Sequence, residues 1–460
     1  MKQQKTRPFG ARDKFGYLLG DLGNDFTFIL STSVLMKFYT DVMGVSAAAV
    51  GIVMMLARFV DAFTDVTMGR ICDRSRTTAA GKFRPWILRM CVPVAAASFL
   101  MYQSGLAEMG TGFKTAYLLV TYILWGSVFY TSINIPYGSM ASAVSADPSD
   151  RQSLSTFRTM GGTFAGVFIG VLLPLLAYEK VDGVETLVGS RVTVIAGIFS
   201  ILAVICYLLC YRMITERVRP QGQAKAVPVG TMLKNALKNR ALVSVIAASI
   251  VMLLSQLTMQ NMAGYIFPEY YNSAAAQSAS SLVMMVAMLL AAMVAKPLAR
   301  RFGKAELSAV TNLFAAAVCV VTFILRPDNV WVFVGLQGLC WLGLGIFSMV
   351  SWALITDVID DAQLKNGVRE DGSVYALYSF ARKLGQAAAA GVSGYLLTAI
   401  GYTEQTRQDP EVLGGIFSIS TLVPAIGFAA LALVLWFWYP LHKKKVEANV
   451  KALEELQKGE

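Results

Sequence analysis

The chain has 460 residues, of which 55% are hydrophobic and only 15% are charged, and its formal net charge is +11. Soluble domains carry about 25% charged residues, so this composition excludes a soluble globular protein and places the chain in a membrane. The Lys and Arg residues lie in alternate connections between apolar stretches, which reflects membrane topology and excludes a nucleic-acid-binding face.

The apolar stretches, taken in chain order, predict about twelve membrane-spanning helices. Each span must be helical, because lipid offers no hydrogen-bond partners to a free backbone. The predicted spans are 15–40, 46–71, 85–107, 114–141, 153–178, 190–213, 241–268, 274–298, 305–326, 330–356, 373–401 and 411–440.

A polar, basic segment separates the first six spans from the last six. This pattern predicts an all-α membrane protein made of two pseudo-symmetric six-helix bundles. Cytoplasmic loops retain Lys and Arg, so both termini are expected on the cytoplasmic side. The predicted regions are an N-terminal bundle at 1–214, a cytoplasmic middle loop at 215–240, a C-terminal bundle at 241–440 and a cytoplasmic tail at 441–460.

Charged residues inside the predicted spans are functional candidates, because each costs at least about 2.5 kcal/mol near the bilayer centre. In the second span Arg58, Asp61 and Asp65 follow one helical face, with Thr64 beside them. Two carboxylates one turn apart can coordinate a small hard cation or share a proton. The alternative is that Arg58 neutralises one aspartate and the stripe only joins two helices.

Further candidate charges lie in three other spans. They are Asp21 and Asp25 in the first, Arg158 in the fifth, and Arg382 and Lys383 in the eleventh. We expect Asp21 to share a charge network with Arg58. Gly20 and Gly23 beside the first pair allow close helix approach or local unwinding. Arg158 and Arg382 can instead snorkel to the interface, which leaves Lys383 as the stronger cavity candidate.

The fourth predicted span ends in a polar stretch that contains Tyr130, Asn134, Pro136 and Gly138. Pro136 and Gly138 predict a kink, either beside a cavity or simply buried by neighbouring helices. Tyr130 and Asn134 lie one turn apart and suit the ring faces and hydroxyl groups of a sugar. Trp352 is a further aromatic side chain that can stack on a sugar ring.

Histidine chemistry is excluded, because the single histidine, His442, lies in the tail. Any ion coupling must therefore use carboxylates, and neither a histidine relay nor a serine–histidine triad is available. The cysteines lack metal-ligand spacing, so we predict no metal site and no disulfide. Without a catalytic motif in a suitable context, the chain is not expected to be an enzyme.

Five segments together resemble the glycoside-pentoside-hexuronide:cation symporters, a family within the major facilitator superfamily that includes carriers of melibiose and of glucuronides. The resemblance spans nearly the whole chain. The segments are YTDVMGVSAAAVG (39–51), RFVDAFTDVTMG (58–69), GKFRPW (81–86), NIPYGS (134–139) and YSFARKLGQA (378–387). It implies a monomer with the major facilitator fold, located in the bacterial cytoplasmic membrane and importing a sugar, glycoside or hexuronide together with a cation.

The resemblance also implies a coupling-ion site. Its cation would be bound by Asp61 and Asp65, with Thr131 as a further oxygen ligand and Lys383 nearby. Thr64 stands where sodium-using members have an asparagine. Na⁺ therefore does not follow from the resemblance. The similarity to glucuronide carriers favours H⁺ as the coupling cation, with Na⁺ as the alternative, and we expect no cofactor.

The same resemblance assigns Asp25 and Arg158 to the sugar. Asn134 and Gly138 replace an acid and a tryptophan found in melibiose carriers, so a melibiose-like pose does not follow. Arg158, Arg382 and Lys383 can each pair with a hexuronate carboxylate. Uronides and neutral glycosides or pentosides therefore both remain candidate substrates.

Three acids follow the tenth predicted span and face basic turns: Asp357, Asp360 and Asp361. We interpret them as a cytoplasmic gate whose ion pairs break during alternating access, although a solvated loop would carry the same residues. Functional alternatives are a lysolipid symporter of the same fold, an antiporter, and a sugar sensor that does not transport.

Overall fold

Helices dominate the computed structural model, which describes residues 7–218, 239–366 and 371–459. In chain order they are α1 (Ala11–Lys37), α2 (Ala47–Arg74), α3 (Arg84–Leu100), α4 (Thr111–Ile123), α5 (Thr131–Val144), α6 (Pro148–Ala177), α7 (Gly189–Met213), α8 (Arg240–Tyr265), α9 (Ala274–Phe302), α10 (Lys304–Leu325), α11 (Val330–Asn366), α12 (Asp371–Ala399), α13 (Pro410–Leu433) and α14 (Lys443–Gly459).

Each predicted span coincides with one helix, except that the fourth comprises α4 and α5 in one continuous stretch, Thr111–Val144. Within the described residues, nine stretches are long and apolar enough to cross a membrane. The three other spans are α1, α3 and α12. Two of these carry charged residues away from their ends, and α3 is only 17 residues long.

Helix α11 continues ten residues past the predicted end at residue 356. Its apolar face does not stop there, since Val358 and Ile359 are fully buried in the hydrophobic core. Asp357, Asp360 and Asp361 therefore lie on this helix, and placing them after it was wrong. Hydropathy marks where lipid ends, whereas tertiary packing decides where the helix ends.

A short hairpin between α6 and α7 escaped the sequence analysis. Strands β1 (Tyr178–Val181) and β2 (Val184–Leu187) pair antiparallel, with Tyr178 opposite Leu187. Asp182 and Gly183 form the two-residue turn with φ of 52° and 83°. An Asp-Gly pair with two positive φ values is the signature of a type I′ hairpin turn, so the signal was present in the sequence.

The described residues form two compact units. The first contains α1 to α7, β1 and β2, together with Leu397–Arg407, the segment at the end of α12. The second contains α8 to α11, α12 up to Leu396, and the chain from Gln408 onward.

Glycines bring the helices of the first unit close together. An added side-chain atom at Gly161 of α6 would lie 2.4 Å from the Leu18 carbonyl oxygen of α1. One at Gly20 would meet the ring of Tyr137 at 2.4 Å, and one at Gly23 would lie 3.2 Å from the Ala203 carbonyl oxygen of α7. Helix α1 itself is continuous, so these glycines serve close approach and not unwinding.

The irregular part of the fourth span lies before its proline. Residues Leu124–Tyr130 form a π-helical segment between α4 and α5, whereas Pro136 lies inside regular α5. The Thr131 amide and hydroxyl both donate to the Gly126 carbonyl oxygen, five residues back. The widened turn re-aims side chains at this point, as π-segments at functional sites commonly do.

The second unit is built around an apolar core. Val245 of α8, Phe347 and Leu354 of α11, and Phe428 of α13 are all fully buried there. No charged residue occurs from position 241 to 268, or from 307 to 325. Helix α14 packs against α10 and α11 at one end of this core.

Candidate functional site

Two carboxylates of α2 face two hydroxyl groups of the fourth span. The Ser127 hydroxyl donates to Asp61 Oδ1 at 2.5 Å, and the Thr131 hydroxyl donates to Asp65 Oδ1 at 2.9 Å. Both pairs advance by four residues in the same direction, so the two helices run parallel along this contact. We call these four residues the acid–hydroxyl ladder.

Arg58 neutralises one end of the ladder. Its Nη1 lies 3.2 Å from Asp61 Oδ2, and its guanidinium lies over the rings of Phe28 and Tyr122 at 5.1 and 5.8 Å. Planar guanidinium groups favour such stacking while they donate to a carboxylate. Asp61 is therefore held at both oxygens, by Arg58 on one and by Ser127 on the other.

Of the hydroxyl groups near Asp61, it is that of Ser127, and not that of Thr64, that contacts the carboxylate. The Thr64 hydroxyl donates to the backbone oxygen of Asp61 at 3.2 Å, within its own helix. Ser127, which sequence reasoning missed, contacts the Asp61 carboxylate directly. A signal for it existed, because Ser127 and Thr131 repeat the spacing of the two acids.

A second charged cluster joins α1 to α6. Arg158 Nε donates to Asp21 Oδ1 at 2.9 Å, and its guanidinium lies 5.3 Å from the centre of the Tyr137 ring. Asp21 thus pairs with Arg158, whereas Arg58 belongs to the ladder. The Arg158 side chain is 40% exposed, and an added atom at Gly138 would lie 3.6 Å from its Nη1. The glycine therefore leaves one face of this guanidinium open.

Asp25 lies one turn beyond Asp21 on the same helix. It makes no hydrogen bond or ion pair with any other residue that the structure describes. An added side-chain atom at Gly162 would lie 2.5 Å from Asp25 Oδ2, so the glycine makes room for this carboxylate. Its oxygens can accept hydrogen bonds from hydroxyl groups of a ligand.

Asn134 belongs to a small buried network. Tyr207 donates to Asn24 Oδ1 at 2.8 Å, and the Asn24 amide donates to Asn134 Oδ1 at 3.5 Å. Tyr130 instead stacks on Phe28, with ring centres 5.7 Å apart. The structure therefore brings Asn134 near α1 and places Tyr130 in an aromatic cluster.

The second unit contributes an aromatic and cationic cluster. The guanidinium of Arg382 lies 5.7 Å from the ring centre of Trp352 and 5.9 Å from that of Tyr378. Tyr378 is fully buried and accepts a hydrogen bond from the Ser249 hydroxyl at 2.7 Å. Trp352 is 42% exposed. Lys383, the next residue on α12, is half-buried.

Comparison with known proteins identifies the family. The profile of the "MFS/sugar transport protein" family matches residues 16–443. The chain belongs to this family. It is therefore a multi-pass membrane protein of the major facilitator superfamily and a member of a transporter family, not an enzyme family.

Curated relatives match almost end to end. The isoprimeverose transporter of Lactiplantibacillus pentosus is 32% identical over 433 residues, covering 93% of this chain and 88% of the relative. The glucuronide carrier protein homolog of Escherichia coli is 30% identical over 446 residues, covering 96% and 95%. A Bacillus subtilis symporter that is named as uncharacterized is 30% identical over 455 residues, covering 98% and 97%. The chain thus lies among sugar and glycoside symporters.

Solved structures agree on the fold. The crystal structure of a D-xylose-proton symporter has a TM-score of 0.62 and 14% identity, covering 93% of this chain and 97% of that one. A nucleoside transporter reaches the same TM-score at 13% identity, with 91% and 99% covered. At these identities the likeness establishes the twelve-helix major facilitator fold alone.

The predicted gate acids of this transporter lie at one end of the second unit. Lys304 Nζ lies 2.6 Å from Asp357 Oδ1, which joins the start of α10 to α11. Asp361 accepts from Lys365 at 2.6 Å and from the Asn449 amide of α14 at 3.0 Å. Asp360 is half-buried on the same helix. The ion pairs Asp357–Lys304 and Asp361–Lys365 thus each join residues of the second unit.

The first unit also holds a buried triad that the sequence analysis missed. Lys37 Nζ lies 2.7 Å from Asp41 Oδ2 and donates to the Tyr402 hydroxyl at 2.6 Å. That hydroxyl donates to Asp41 Oδ1 at 2.9 Å. All three residues are buried, and Tyr402 belongs to Leu397–Arg407. No local pattern reveals a partner 365 residues away.

Proposed function

We propose that this transporter imports a sugar, glycoside or hexuronide with a cation by alternating access. The acid–hydroxyl ladder is the observation that carries the proposal. Two carboxylates in a membrane span, Asp61 buried and Asp65 half-buried, are costly, and their pairing with hydroxyl groups forms an oxygen-rich site. Such a site suits a small cation far better than it suits a sugar.

The coupling cation is bound, in this proposal, at Asp61 and Asp65 with Thr131 as a further oxygen ligand. The proton is the proposed ion and Na⁺ the alternative. Binding of either cation reduces the negative charge on α2. The binding energy of the ion then favours the conformation that also binds the sugar, which couples the two fluxes.

The sugar is bound, in the first unit, by Asp25, Arg158 and Asn134. Their carboxylate, guanidinium and amide groups supply donors and acceptors for hydroxyl groups. Trp352 is also proposed to stack on a sugar ring, and Arg382 and Lys383 to balance an acidic substrate. Tyr130 supports this surface through its aromatic cluster.

Alternating access exposes the bound solutes to each side of the membrane in turn. We propose that the protein is a monomer in the bacterial cytoplasmic membrane. Both termini are proposed to lie inside, because the basic connections then face the cytoplasm. Asp357, Asp360 and Asp361 are then cytoplasmic. Their ion pairs, such as Asp357 with Lys304, are proposed to rearrange as the cytoplasmic side opens.

The test is uptake into membrane vesicles under an imposed proton or Na⁺ gradient. The radiolabelled panel contains glucuronides, galactosides and xylosides, including isoprimeverose, since relatives are named for that sugar and for glucuronides. Accumulation of one sugar under one gradient supports the proposal. Binding without accumulation under either gradient identifies a sensor, and competition by lysolipid alone identifies a lipid carrier; both outcomes contradict it.

A further inference from the structure

The Asp61 carboxylate accepts a hydrogen bond at each of its two oxygens. Ser127 donates to Oδ1 at 2.5 Å and Arg58 donates to Oδ2 at 3.2 Å. Hydrogen bonds from a charged donor or to a carboxylate are the strong ones, so both contacts hold the group firmly. Each oxygen of Asp61 thus already accepts one hydrogen bond from the protein.

The Oδ1 side is also closely enclosed. Ser127 and Asp61 are both buried, and the Ser127 hydroxyl lies 3.4 Å from the Ala57 carbonyl oxygen on α2. An added side-chain atom at Gly126 would lie only 3.5 Å from Asp61 Oδ1. The oxygen that Ser127 occupies therefore lies close to the backbone of both helices.

We propose that Ser127 determines ion selectivity by occupying Asp61 Oδ1 and thereby withholding an oxygen ligand from Na⁺. Hard metal cations are bound by several oxygens at once, so the loss of one ligand weakens a site sharply. Ser127 acts through Asp61 and is therefore a positioning residue. This inference rests on the proposed coupling-ion site and specifies how that site selects its ion.

The direct test is binding of ²²Na⁺ to the purified full-length protein, which requires no sugar. We expect the parent to bind Na⁺ weakly and Ser127→Ala to bind it roughly tenfold more tightly, since the variant frees one charged acceptor from a strong hydrogen bond. Ser127→Thr, which keeps the hydroxyl, should match the parent. The gain should disappear in the double variant Ser127→Ala with Asp61→Asn.

A matched control is Thr121→Val. Thr121 has a buried hydroxyl on the same span, and it donates to the Tyr117 and Leu118 carbonyl oxygens of its own helix. Its variant should leave Na⁺ binding unchanged. Equal Na⁺ affinity in Ser127→Ala and the parent overturns the inference, as does a Na⁺-binding parent that loses affinity when the hydroxyl is removed.

Sugar uptake separates this inference from the proposed function. If Ser127→Ala gains Na⁺ binding while the parent accumulates no sugar under any gradient, the ion-selectivity role stands and symport fails. If the parent accumulates sugar with protons and Ser127→Ala shows no Na⁺ stimulation and no gain in binding, symport stands and the role of Ser127 fails.

Discussion

The two units of this transporter distribute their charges differently. In the first, Asp21 and Asp61 are buried within helices and each is paired with an arginine. In the second, the buried acids Glu269, Asp357 and Asp361 lie near the ends of the predicted spans, around an apolar core. The difference teaches that acids set within the spans, which cost stability, lie in the first unit, whereas the second unit keeps its buried acids near the ends of its spans.

The largest effect is expected from Asp65→Asn, which removes one carboxylate of the ladder. Gradient-driven accumulation of sugar should be lost, while exchange of sugar across the membrane persists, because exchange does not require net ion flux. Counterflow and accumulation assays in the same vesicles separate the two. Glu269→Gln is the matched change in the second unit and should retain accumulation; equal loss in both variants would remove the contrast between the units.

An intermediate effect is expected from Gly161→Ala, which tests helix packing in the first unit. The new methyl group would meet the Leu18 backbone oxygen at 2.4 Å, so the helices must separate. Overpacking of this kind typically costs about 1–3 kcal/mol. Thermal unfolding in detergent measures the loss.

Gly414→Ala in α13 is the control for this change. An added atom there has no neighbour within 4 Å among the described residues. The variant should be neutral or gain up to about 1 kcal/mol from helix propensity. A destabilised Gly414→Ala with an unaffected Gly161→Ala would contradict the packing argument.

The smallest effect is expected from Asn449→Ala at the end of the second unit. The variant removes the amide that donates to Asp361, while the contact with Lys365 remains. A single hydrogen bond of this kind contributes about 1 kcal/mol, so the unfolding temperature should fall slightly. Uptake should be unchanged; a large transport defect would show that α14 takes part in the transport cycle.

The sequence predicted the helices well because hydropathy reports directly on lipid contact. It predicted that Asp61 and Asp65 belong together because both lie on one helix face, and local spacing determines that face. Their roles in ion binding stay a prediction. The extension of α11 past Thr356 depends on burial of Val358 and Ile359, which is a tertiary effect.

Partners on different helices were harder to predict. The pairing of Asp21 with Arg158 joins residues 137 positions apart, and charge alone left Arg58 as an equally good partner. Ser127 was missed because a serine in a membrane span is common and inexpensive, whereas an acid stands out. The spacing of four residues between Ser127 and Thr131 equals that between Asp61 and Asp65 and is visible in the sequence. It indicates contacts between the pairs only if the two helices run parallel.

The Lys37–Asp41–Tyr402 triad has a consequence for synthesis at the ribosome. Tyr402 is made 365 residues after Lys37, which at about 5–20 residues per second is a delay of roughly 20–70 s. Until then the lysine and aspartate have only each other within the triad, and their spacing of four residues lets them pair on one helical face. The nascent first span thus carries its own counter-ion, and the first unit receives the buried Tyr402 contact only after most of the chain has been made.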